Sequence, residues 1–166
     1  MQTHIQRTTF DTPIGRCAIA WREAALTGFS LPDAAVRADD VASPPDWIAA
    51  VIGRVRRHLT GKLGDFTDLP YDFANVPTFN AAVLRATLAV PAGQTRSYGE
   101  IARAIGEPPG ASRAVGVALG ANHWPLLIPC HRIVSATGKM TGFSGPGGIK
   151  TKLRLLAIEG AQLFAE

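Results

Sequence analysis

Cysteine is scarce: Cys17 and Cys130 are the only two in 166 residues, and neither sits in a CxxC or Cys/His ligand spacing. A disulfide framework and a zinc site are therefore unsupported, and a reducing compartment fits best. No apolar run approaches the roughly 18 residues needed to span a bilayer. Met1 to Thr9 also lack the basic-then-apolar order of a secretory signal, so a cytosolic protein without membrane contact is expected. Repeats and low-complexity tracts are missing too, which sets aside solenoid and linker architectures. What remains is a chain with 46% apolar residues, enough to bury one core or two small packed domains.

Charge is modest overall but unevenly placed. Residues 1–90 carry nine Lys/Arg against nine Asp/Glu, and residues 91–166 carry eight against four, so the whole excess of +4 lies in the C-terminal part. A basic half joined to a neutral one suits a polyanionic partner.

Thr8 to Phe29 alternates short apolar runs with a Thr12-Pro13-Ile14-Gly15 turn and predicts a meander of strands. Ser43-Pro44-Pro45-Asp46 supplies an N-cap, a first-turn proline and an acid ahead of Ile48, Ile52, Val55 and Leu59, predicting a helix closed by Gly61. Phe66 to Phe73 reads as a further strand, with Pro70 to Pro77 as a passage between domains. Helical spacing returns at Phe79, Val83, Leu84 and Leu88 and breaks at Pro91-Ala92-Gly93. Ser97 and Glu100 have capping-box spacing for a helix through Ile101 and Ile105. After Glu107-Pro108-Pro109-Gly110, Ser112 is placed to cap a second short helix, Arg113 to Leu119, which completes a helix-turn-helix outline. A glycine-rich loop, Gly138 to Gly148, precedes a final helix with Ile149, Leu153, Leu156 and Ala157 inward.

The candidate chemistry lies at Pro129-Cys130-His131-Arg132, where the apolar run Pro125 to Ile128 meets an imidazole and a guanidinium. A thiol of pKa near 8.5 is only about 3% thiolate at pH 7, so a neighbouring base or positive charge decides its reactivity. On these grounds alone an inert buried residue is the favoured reading of Cys130 over a nucleophile.

That segment, with Asn122 eight residues before the cysteine, resembles the active-site segment of the O6-alkylguanine-DNA alkyltransferases, the methylated-DNA-protein cysteine methyltransferases. Pro91-Ala92-Gly93 with Ser97-Tyr98-Gly99, Ser112 to Gly116, and Leu155 to Gly160 resemble the same family's helix-turn-helix, recognition helix and last helix, in that order. The resemblance implies an α/β (α+β) fold: a small ribonuclease-H-like sheet domain over residues 1–77, and a mainly helical, winged-helix-like domain with a helix-turn-helix over 78–166. It implies direct-reversal repair, in which Cys130 takes an alkyl group irreversibly from O6-alkylguanine, or from O4-alkylthymine, without cofactor or metal. His131 is then the base acting through a water, Glu159 orients its ring, Asn122 positions backbone, and Tyr98 hydrogen-bonds the departing base. The implied partner is double-stranded DNA approached from the minor groove with the damaged base extruded, bound by a monomer that joins the nucleoid, or the nucleus in a eukaryote. Arg113 would fill the gap in the stack; Ser112, Ala114, Gly116 and Ala118 would allow close approach to DNA; Leu119, Ile133, Phe143 and Ser144 would line the pocket. Phe143 stands where many relatives have Tyr, and Pro146 with Gly147-Gly148 departs from the family loop, which bears on the alkyl groups that fit.

Other chemical residues read plainly. Cys17 belongs to the core, Arg132 pairs with a carboxylate, and His4, His58 and His123 are surface or structural. Gly147 to Thr151 lacks the glycine-lysine junction of a phosphate-binding loop. A damage sensor without chemistry, a helix-turn-helix regulator and a thiol hydrolase are the competing functions; the presence of Cys130 and the short chain weigh against the first two.

Overall fold

Three antiparallel strands open the chain, β1 (Gln6–Thr12), β2 (Gly15–Arg22) and β3 (Ala25–Ser30), ordered β1-β2-β3. The computed structural model describes residues 4–32, 43–137 and 148–161. Register pairs Phe10 with Cys17 and Thr8 with Ile19, so the expected meander forms, with Cys17 and Ile19 fully buried. Helix α1 (Asp46–Leu59) covers the sheet with a stripe of Ile48, Val51, Ile52, Val55, His58 and Leu59.

The C-terminal half contains α2 (Thr78–Leu88), β4 (Arg96–Ser97), α3 (Tyr98–Ala104), α4 (Ser112–Gly120), β5 (Ile133–Val134) and α5 (Gly148–Ile158). The capping box at α3 is present: Glu100 N–H donates to Ser97 Oγ at 3.0 Å, and Ser97 N–H donates to Glu100 Oε1 at 2.7 Å. β4 and β5 pair in parallel, setting Ser97 beside Val134. One apolar core runs through both halves, from Phe10 and Ile48 to Leu84 and Leu155, across the expected boundary at residue 77. No described helix is long and apolar enough to cross a membrane.

Four sequence expectations are corrected. Ser43 does not cap α1; Pro45, with extended φ −67° and ψ 165°, occupies the N-cap without a side-chain bond, which leaves Ser43 two residues outside the helix. Phe66 to Phe73 is not a strand: Asp65 Oδ1 accepts the Thr67 N–H at 2.8 Å and bends the chain, leaving a single bridge from Tyr71 to Leu26 on β3. Ser112 is the first residue of α4 rather than its cap, since a 3-10 turn at Pro109–Ala111 runs directly into the helix. Helix α5 buries Lys152, Leu155 and Leu156, leaving Ile149 and Ala157 exposed and Leu153 half-buried. This face wins because Lys152 and the following Glu159 both find polar partners inside.

Candidate active site

The chain leaves the buried run Leu126-Leu127-Ile128 through an inverse γ-turn at Pro129 (φ −81°, ψ 65°), with Cys130 N–H on Ile128 O at 2.8 Å. Proline's restricted φ suits this conformation. Cys130, His131 and Arg132 then form one 3-10 turn. Upstream, Leu126 holds φ +80°, unusual for a side-chain-bearing residue; such a conformation costs about 1–3 kcal/mol and persists only where its surroundings enforce it. Here they do: Leu126 is buried, Asn122 Oδ1 accepts the Trp124 N–H at 2.9 Å, and Asn122 Nδ2 donates to Ile128 O at 3.0 Å.

This loop is docked on the N-terminal sheet. Trp124 Nε1 donates to Leu26 O at 3.1 Å, Phe29 N–H donates to His123 O at 2.9 Å, and the Trp124 ring meets Tyr71 and Phe73 edge to face. The edge of β3 is thereby covered by the segment that carries the thiol.

Behind Cys130 lies a buried polar cluster centred on Glu159. Arg132 grips the carboxylate as a fork, Nε to Oε1 at 2.9 Å and Nη2 to Oε2 at 2.7 Å, and its Nη1 donates to Val90 O at 2.6 Å. His131 Nε2 lies 3.0 Å from both carboxylate oxygens, and His58 Nε2 lies 2.8 Å from Oε2. Glu159 is the C-cap of α5, whose end closes in a Schellman pattern: Ala161 N–H to Leu156 O, Gly160 N–H to Ala157 O, and Gly160 at φ +73°. A carboxylate there opposes the helix dipole. Burial too would raise its pKa, but the hydrogen bonds from His131, His58 and Arg132 prevail and hold the carboxyl well below the usual carboxylate range. Gly93, at φ +88°, lies close behind: a Cβ there would stand 3.2 Å from the Glu159 carbonyl oxygen.

Burial pushes the Cys130 thiol up, and hydrogen bonding to Asn122 and the charge of Lys152 oppose that rise. Lys152 is itself buried, donates to Ile133 O at 2.8 Å, and has its pKa lowered by desolvation against the influence of Cys130. Desolvation also lowers the pKa of His131, against the pull of Glu159. His131 Nδ1 is buried and has no hydrogen-bond partner among the described protein groups. Adjacent to a thiol, that combination equips the ring to take up a proton at Nδ1.

Helices α3 and α4 present a separate surface. Arg113, Ala114 and Val117 point outward from α4, whereas Ala118 and Val115 are buried; Ala118 therefore packs in the core instead of offering a small outer face. Gly116 faces Tyr98, whose ring would lie 3.8 Å from an added Cβ. Ser112 Oγ donates to Pro109 O at 2.7 Å and so closes the inter-helix turn.

The structure thus gathers Cys130, His131, Glu159 and Asn122; Tyr98 opens α3 one residue after the β4–β5 pair, with its ring against Gly116 of α4. Leu119 and Ile133 are buried next to this segment, Ile133 completely; Phe143 and Ser144 lie outside the described residues. Arg132 does pair with a carboxylate. Sequence reasoning gave Lys152 no role and passed over the contact of His58 with the site. A cleft of about 360 Å³ between the residue 63–67 turn and the end of α2 has Pro129 and Arg132 on its wall but no nucleophile.

Residues 78–161 match the family model described as 6-O-methylguanine DNA methyltransferase, DNA binding domain. The chain is 38% identical over 157 residues to a methylated-DNA–protein-cysteine methyltransferase of Mycolicibacterium paratuberculosis, covering 93% of this chain and 92% of that protein. A relative of the same name from Methanothermobacter thermautotrophicus is 32% identical over 151 residues, 91% of this chain and 83% of that one. Among solved structures, the O6-methylguanine methyltransferase of Mycobacterium tuberculosis superposes with TM-score 0.81 at 34% identity, covering 98% of this chain and 97% of that one. The M. tuberculosis protein in complex with DNA gives TM-score 0.80 at 36% identity, with 93% and 92% covered.

Proposed function

We propose, from the premise that this chain belongs to the methylated-DNA–protein-cysteine methyltransferase family, that Cys130 is its alkyl acceptor and that His131, Glu159 and Lys152 make the sulfur reactive. The function is direct-reversal DNA repair, in which an alkyl group passes from O6 of a guanine in DNA to a cysteine. The observation that carries the residue assignment is the adjacency of Cys130 and His131 on one turn, with His131 Nε2 held by Glu159 and Nδ1 without a hydrogen-bond partner among the described residues.

Burial disfavours a resting thiolate, so the proton must leave as the substrate arrives. His131 Nδ1 receives it, through a water because neighbouring side chains on a tight turn do not face each other. Lys152 offsets the growing negative charge on sulfur. The thiolate attacks the alkyl carbon in line; the S–C bond forms, the C–O6 bond breaks, and the electron pair stays with the guanine. Tyr98 hydrogen-bonds that anion and supplies its proton, and the proton on His131 restores neutrality. A thioether is not hydrolysed by water, so each molecule acts once.

The target atom is stacked inside the duplex and must be extruded. Arg113, on the outward face of α4, fills the gap from the minor groove, with Ser112, Ala114 and Gly116 close to the backbone. Leu119 and Ile133 back the base pocket. O4-alkylthymine is a second substrate of this reading. The finer architecture is a ribonuclease-H-like unit over residues 1–77 and a winged-helix-like unit over 78–166, supported by the α1-covered sheet and by α3 and α4 beside the β4–β5 pair. The protein acts as a monomer on DNA in the cytoplasm.

Incubation with excess duplex containing O6-methylguanine is expected to add one methyl mass per protein molecule and then stop. Continued turnover at constant protein mass points to a hydrolase, and binding without mass gain points to a sensor.

A further inference from the structure

His58 is the one side chain of α1 that reaches the Glu159 cluster, and it does so from a fully buried position. Its ring chemistry is settled by two contacts. The Gly64 backbone N–H donates to His58 Nδ1 at 3.0 Å, so Nδ1 bears a lone pair. The proton of the neutral ring therefore sits on Nε2 and is donated to Glu159 Oε2 at 2.8 Å. The edge-to-face Phe66 ring, 5.4 Å away between centroids, fixes the plane.

The same carboxylate governs His131. With both oxygens of an ionised Glu159 at 3.0 Å from its Nε2, His131 must also carry its proton on Nε2, which leaves Nδ1 free for the thiol proton. Arg132, on the same short turn as Cys130 and His131, ties the carboxylate to that turn and, through Val90 O, to the chain after α2. His58 ties the carboxylate to a different element. It also shares Oε2 with His131, so its donation draws electron density from the carboxylate that supports the imidazole.

We propose that His58 is a positioning residue for alkyl transfer: it anchors Glu159 so that His131 keeps the tautomer that accepts the Cys130 proton, and it restrains the basicity of that ring. The inference rests on the His131 relay of the preceding section and makes the N-terminal half a contributor to the chemistry. Among the described residues, the titratable and charged groups acting on the His131 ring are Glu159 from the end of α5, Arg132 from its own turn and His58 from α1; Cys130 is its neighbour in the chain, and Lys152 of α5 acts on Cys130.

The test is single-turnover methyl transfer from an O6-methylguanine duplex, followed from acid to alkaline pH, in the wild type, His58→Phe, His58→Gln and a His131→Ala control. His58→Phe is expected to bind DNA normally and to transfer about tenfold more slowly, by analogy with the lower end of the loss on removing an outer hydrogen bond to a metal-ligating histidine. Its acid limb should move to higher pH, because Glu159 then supports protonation of His131 more strongly. His58→Gln, which retains an N–H for Oε2, should recover most of the rate and the wild-type limb. If His131→Ala is slow while His58→Phe matches wild type in rate and acid limb, the role of His58 is overturned and the relay stands. A fast His131→Ala overturns the relay itself. Imidazole nitrogen NMR of the wild-type protein decides the matter if the variants do not fold: protons on Nε2 of both His58 and His131 support the proposal, and a proton on Nδ1 of either overturns it.

Discussion

Cys17 on β2 and Cys130 on its 3-10 turn are both buried in one continuous core, and burial pushes both thiols upward, that of Cys17 to about 11. Their surroundings differ. Around Cys17 the only polar neighbour opposing the rise among the described residues is Thr12, whose Oγ1 lies 3.8 Å from the sulfur. Around Cys130 stand Asn122, Lys152 and an imidazole backed by a carboxylate that takes three further hydrogen bonds, one from His58 and two from Arg132. Desolvation alone therefore makes a thiol inert, and what turns one of the pair into an acceptor is a set of buried polar groups that the fold must keep satisfied.

The largest effect on this contrast is expected from removing its anchor. Glu159→Ala leaves Arg132 without its carboxylate in the interior and should destabilise the protein by about 3–5 kcal/mol in urea unfolding, whereas Cys17→Ser should leave the transfer rate unchanged. A Glu159→Ala variant as stable as wild type would mean that the cluster is not the buried pair described here. Lys152→Met is expected to raise the Cys130 thiol further and to slow its alkylation by iodoacetamide about tenfold at neutral pH, the effect of roughly one pKa unit. Cys17 should not respond, and equal changes at both thiols would erase the distinction.

Acid should act more gently and in one direction. The His131 pKa is lowered in the folded state, so below its ordinary value of 6.5 the unfolded chain binds the extra proton. Glu159 is also depressed, so its contribution is present above the ordinary value of 4.5 and is lost as pH falls through the lower folded value. In both cases the unfolded state holds more protons, and stability rises with pH over this range. Thermal melts should shift downward from pH 7 toward pH 4; a midpoint that rises on acidification would contradict the charge states assigned to the cluster.

Much of this was legible in the sequence because local rules and tertiary structure agree there. The β1–β3 meander, the capping box at Ser97 and Glu100, and the adjacency of Cys130 and His131 follow from patterns of a few residues. The failures have a common cause. Lys152, Leu155, Leu156 and Glu159 form a helical stripe, and His58 falls on the stripe of Ile48, Val51, Ile52 and Val55. An apolar pattern alone rejects the polar members of such stripes, so α5 was expected to turn Ile149 and Ala157 inward. Keeping Glu159 on the inner face would have brought Lys152 with it, three-and-four spacing being the same for charged as for apolar residues. The contact between His58 and Glu159 spans 101 residues and has no local signature. Tyr71 was lost as a strand residue for the opposite reason: its apolar neighbours suggest pairing, but Pro70 and the Asp65 turn allow only one bridge.

The two thiols allow a single decisive experiment. After reaction with a duplex carrying isotopically labelled O6-methylguanine, proteolysis and mass spectrometry of the Cys130 and Cys17 peptides should place one labelled methyl on Cys130 and none on Cys17. Label on Cys17, or on neither cysteine while the DNA is repaired, would contradict the assignment of Cys130 as the acceptor.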